Sequence, residues 1–151
     1  MSYATRTDVE AIYGANNVER WADIDNDGDE DHIEARITWA LGVAEDKLNN
    51  RLKSSGKYDI PFDEPVDSEL TEMTARFAGV LLYESRGLTD TENDDGRNVL
   101  TGHRKQVDQF VKDVNSGKVR LTGYKGNSGV GPKVLDSADW DVPIVPPTDA
   151  E

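Results

Sequence analysis

The chain has 151 residues, 36% of them apolar, with a formal net charge of −13 and a pI near 4.5. That is about one domain's worth of sequence, and its acidity argues against the basic footprint of a nucleic-acid binder and against docking on an anionic membrane. Without cysteine it has no disulfides, thiolate nucleophiles or cysteine zinc sites. The start, MSYATRTDVE, lacks the apolar stretch of a signal peptide, and no apolar run approaches membrane-spanning length. A soluble protein made and used inside a cell is therefore expected.

Thr7-Asp8-Val9-Glu10 reads as a capping box that opens a first helix, which Gly14 stops. A short second turn, NNVERWA, leads into the acidic stretch DIDNDGDEDHIE, residues 23–34, with seven acids in twelve positions. The strongest helix follows. Ile33, Ile37, Leu41, Ala44, Leu48 and Leu52 keep a 3.6-residue period over about 31–53, with Lys47, Arg51 and Lys53 near its negative end and Gly56 closing it. KYDIPFDEPVD, with two prolines, predicts an extended crossover that sets Tyr58, Ile60 and Phe62 on one side.

Ser68 is placed to cap the next helix, which Leu70, Met73, Phe77, Val80 and Leu81 carry to Gly87. LTDTENDDG is a polar break. Leu100, His103, Val107, Phe110, Val111 and Val114 mark a last amphipathic helix, about 97–116, closed by Gly117. KVRL is strand-like, and GYKGNSGVGP is a glycine-rich connection. The expected architecture is all-α: a small bundle of about four helices, residues 1–122, with an extended Gly/Pro-rich arm over 123–151. Trp140, Val142, Ile144 and Val145 sit in a segment of that arm too proline-rich to build its own core. They suggest docking on a partner, against the alternative of a solvated tail.

The acidic stretch fits the calcium-loop template D-x-D-x-D-G-x5-E. Asp23, Asp25 and Asp27 stand at positions one, three and five, and Gly28 supplies the turn. Asp29 offers its carbonyl, Asp31 acts through a water, and Glu34 closes the site with a bidentate carboxylate. Calcium needs six to eight oxygens, and alternating acids wrapped about a centre supply them. Position eight is Glu30, where paired calcium hands place an apolar residue, and the chain has no second such loop. A structural calcium clamp therefore fits better than a sensor, and an acidic turn favouring a helix N-terminus is the alternative.

The signals for an enzyme are thin, a small hydrolase using paired acids being the third reading. His32 and His103 are the only histidines, and there is no G-x-S-x-G elbow. GNSGVG lacks the Lys-Ser/Thr ending of a phosphate loop, and Pro132 follows it. Pairs of acids occur as in any acidic protein.

Taken in order, YATRTDVEAIYG, WADIDNDGD with the long helix after it, LNNRLKSSGKYDIPFDEPVDSELTEMTARFAGVLLYESRG and RKQVDQFVKDVNSGKVRL resemble the Mu-like head–tail connector (adaptor) proteins of tailed bacteriophages. The resemblance covers about residues 3–122. Its most specific parts are the Tyr58-x-Ile60-Pro61 join, the third helix with Tyr83 and the Ser116-Gly117-Lys118 stop. It implies a non-enzymatic virion protein assembled in the host cytoplasm, in a ring of about twelve copies beneath the portal. Such a ring extends the DNA channel, passes DNA without specific binding, and meets a downstream connector, terminator or tail protein. A single-loop calcium-binding interaction module is the alternative.

Overall fold

The computed structural model describes residues 2–87 and 99–125. The polar break after Gly87 and the arm with Trp140, Val142, Ile144 and Val145 lie outside the described residues. Within them the chain forms five helices: α1 (Arg6–Tyr13), α2 (Ala15–Ala22), α3 (Glu30–Lys53), α4 (Ser68–Ser85) and α5 (Val99–Ser116). There is no strand among them, so the fold is all-α. The short turn expected after Gly14 is a helix of two turns.

Helix α4 is the centre. Leu70, Ala75, Phe77, Ala78, Val80 and Leu82 are buried around its whole circumference, as the run FAGVLLY requires of a helix with neighbours on every side. Helices α1, α2, α3 and α5 all pack on it. Every member of the predicted α3 stripe is buried, from Ile33 to Leu52. On α5, Leu100, Val107, Phe110, Val111 and Val114 are buried as the period predicts.

Three local expectations are corrected. The first cap is Thr5 with Asp8, not Thr7 with Glu10: the Thr5 N–H donates to Asp8 Oδ2 at 2.7 Å. Tyr3 and Ala4 are buried just before it, which fixes an earlier entry, and Glu10 is drawn four residues back to Arg6 Nε at 2.6 Å. The α4 N-cap is Asp67, so Ser68 is the first helical residue. Asp67 instead accepts from the Thr122 N–H at 2.7 Å and the Thr122 hydroxyl at 2.9 Å. Finally, residues 118–121 form a bend and irregular chain rather than a strand, with no strand to pair with among the described residues.

The crossover after α3 is held by tyrosine hydroxyls. Tyr3 Oη accepts from the Phe62 N–H and donates to Asn49 Oδ1, each at 2.8 Å. Tyr58 Oη accepts from the Leu121 N–H at 3.1 Å. Tyr58 is buried, and Ile60 and Phe62 pack against the core, as the sequence suggests. Past residue 122 the chain still touches the bundle: the Tyr124 ring lies 5.7 Å from that of Tyr58, and the Lys125 N–H donates to the Lys57 carbonyl.

Candidate metal-binding loop and its arginine hub

The loop between α2 and α3 is built by carboxylates accepting from backbone amides. Asp23 Oδ1 accepts from the Asp27 N–H at 3.2 Å, Asp27 Oδ1 from Asp29 at 2.9 Å, and Asp29 Oδ1 from Asp31 at 2.9 Å. The last of these is the N-cap of α3, which explains why the helix starts at Glu30. Gly28 has φ of 68°, a left-handed conformation in which a side chain would be strained. Arg86 at the end of α4 donates to the Asp23 carbonyl and to Asn26 Oδ1, tying the loop to the central helix.

The six expected ligands do not converge as a set. Asp25 and Asp27 meet His32, with ligand atoms of the three within 4.8 Å of one another. His32 Nδ1 lies 3.2 Å from Asp27 Oδ2. That hydrogen bond, reinforced by Asp29 and Asp27, raises the His32 pKa, while the amide of Asp29 lowers that of Asp27. Glu34, expected to close the loop, is turned to Arg6, whose Nη1 donates to it at 3.0 Å. Asp23 and Asp29 serve the turn, and Asp31 is exposed. An oxygen–imidazole trio of this kind suits a divalent cation on chemical grounds, although exposed acids alone do not require one.

Arg6 was not singled out by the sequence. Its guanidinium donates to Glu10, to Glu19 at 3.0 Å, to Glu30 and to Glu34, joining α1, α2 and the first turns of α3. The hydrogen bonds it donates to Glu10 first, then to Glu30 and Glu34, raise its pKa. One cation answers four anions there, so this end of the molecule keeps a surplus of negative charge. The available signal was Arg6 four residues before Glu10, a pairing position on a helix.

His103 lies on the packed side of α5, as expected, edge-on to Tyr13 at 4.9 Å between ring centroids. Its Nδ1 accepts from Arg76 Nη1 at 2.6 Å, and burial followed by the Arg76 charge lowers its pKa. Arg76 is in turn paired with Glu72 at 2.6 Å. The imidazole is thus a neutral acceptor, engaged in holding α5 to α4. An open depression of about 390 Å³ beside Tyr3, Pro61, Phe62 and Val66 carries the carboxylates of Glu45, Asp63 and Glu64 on its rim, with no histidine, lysine or serine. No described helix is long and apolar enough to cross a membrane.

No protein-family model matches the chain, and no curated protein matches it.

Proposed function

We propose that the chain is a structural connector of a tailed-phage particle, assembling as a ring between the portal and the next connector, terminator or tail protein. One observation carries this reading: the residues that give the sequence its resemblance to connectors are the joints of the bundle. Tyr3 fastens the crossover at Phe62, Tyr58 fastens the segment after α5 at Leu121, and Gly117 ends α5 with φ of 84°. Tyr83 stacks edge-on with Trp21 at 5.4 Å, joining α4 to α2. In this role the surplus of acid serves a DNA channel, where negative walls keep the duplex from sticking during its passage. The arm residues Trp140, Val142, Ile144 and Val145 grip the portal or an adjacent copy.

Electron microscopy of the full chain, co-expressed with the portal protein of the same genome, tests the reading. Closed rings with an open channel, stacked on the portal, are expected. Portal particles without added density would refute it.

The convergence of Asp25, Asp27 and His32 favours a second reading for the loop, a cation clamp within that connector. A bound calcium would brace the loop between α2 and α3, two helices that Arg6 also joins. Titration calorimetry with calcium distinguishes the clamp from a regulatory module: the clamp stabilises the chain and leaves its helix content unchanged.

A further inference from the structure

Helix α3 turns one side to the bundle, and no described residue covers the opposite side. Advancing about 100° per residue, Ala35, Gly42, Val43 and Asp46 fall on the same side as Trp39, while the buried stripe centred on Ile37 and Leu48 lies opposite. Trp39 is 43% exposed, unusual for the residue type. Next to it Gly42 carries no side chain, and a Cβ there would meet nothing within 4 Å, so this part of the face is open. The Arg36 guanidinium lies over the Trp39 ring at 4.3 Å, and its buried Nε has no hydrogen-bond partner among the described residues.

The charges along this face are ordered. Asp31 stands at the acidic start of α3 and Lys53 at its basic end, with Arg36 and Asp46 between them. None of these four makes an ion pair among the described residues. We propose that a second copy of this chain docks on this face, with α3 antiparallel to its partner about a two-fold axis near residues 41 and 42. In that register Arg36 of each copy meets Asp46 of the other, Asp31 meets Lys53, and each Trp39 lies over the open surface at Gly42. A parallel pairing would set like charges together; the antiparallel one turns the polarity of a single helix into mutual attraction. The contact is one helix wide, so the pair is weak and concentration-dependent. A two-fold contact closes at two copies, so it describes the free chain and does not rest on the connector reading.

Sedimentation equilibrium of the full chain, from about 5 to about 300 µM, reads the association directly. The expected average mass climbs across the range from above 16.7 kDa towards twice that value. Trp39→Ser and Asp46→Arg, both at exposed positions, each weaken pairing about tenfold or more with unchanged thermal melts. Adding Arg36→Asp to Asp46→Arg restores it to within about threefold of the original. The pairing is overturned by a monomer at the highest concentration, by a dimer indifferent to Trp39→Ser, or by a charge-swapped chain no better than the single variant. A monomer whose Trp39 is shielded from acrylamide quenching also overturns it, placing residues 126–151 over the face instead.

Discussion

The ring of Tyr13 occupies the space where residue 79 would carry a side chain. A Cβ built on Gly79 would meet Tyr13 ring atoms closer than 3.0 Å, a distance real Cβ atoms essentially never show. The phenol hydroxyl donates to the Arg76 carbonyl at 2.7 Å, so the ring is held against α4 at both ends. Gly79→Ala should therefore cost about 1–3 kcal/mol through overpacking, despite the better helix propensity of alanine. Urea denaturation measures this. A Tyr13→Ala background should remove most of the penalty specific to Gly79→Ala.

Arg6 anchors the ends of α1, α2 and α3 through four carboxylates, of which Glu30 and Glu34 are more than half exposed. Each such pair alone is worth little in water, but removing the shared cation also leaves four like charges facing one another. Arg6→Gln should lower stability by about 1–2 kcal/mol at low salt. The loss should shrink by about half or more near 1 M salt, where the residual repulsion is screened. Chemical denaturation at the two ionic strengths checks it.

His103 makes stability depend on pH. Its folded pKa lies below the ordinary 6.5, so the neutral form is favoured by folding. The stability it contributes is fully present above pH 6.5 and is lost as pH falls through the folded value, because the unfolded chain takes up the proton first. His32 has the opposite sign: its pKa is raised, so its contribution fades as pH rises. In a His32→Asn background, going from about pH 7 to about pH 5 should lower the melting temperature more, or raise it less, with His103 than with His103→Gln.

The loop makes a prediction of its own. Replacing Asp23, Asp25 and Asp27 together with Asn keeps an acceptor oxygen at each turn position but removes three charges. Calcium should raise the melting temperature of the parent chain by a few degrees, and the triple variant should lose that response while keeping its helix content. A parent chain indifferent to calcium would return the loop to a solvated turn.

What the sequence carried well was periodicity. The α3 stripe buries its residues as the 3.6-residue pattern dictates, because helix faces are local facts, and the unbroken apolar run of α4 is buried all round. Caps were harder: TRTDVE contains two overlapping capping patterns, Thr5–Asp8 and Thr7–Glu10, and burial of Tyr3 and Ala4 selects the first. KVRL has strand-like composition, but a strand exists only with a partner, and here Leu121 is buried with its N–H held by Tyr58. The loop's ligands were read by spacing alone, which could not foresee that Glu34 would be claimed by Arg6, 28 residues away. Likewise, nothing local to Gly79 announces that Tyr13 fills its missing side chain.

The most direct test of the central claim is quantitative mass spectrometry of purified particles from the genome that encodes the chain. A head–tail connector should be present in every intact particle, at about the same copy number as the portal protein. Its absence from particles that carry portal and tail would contradict the account.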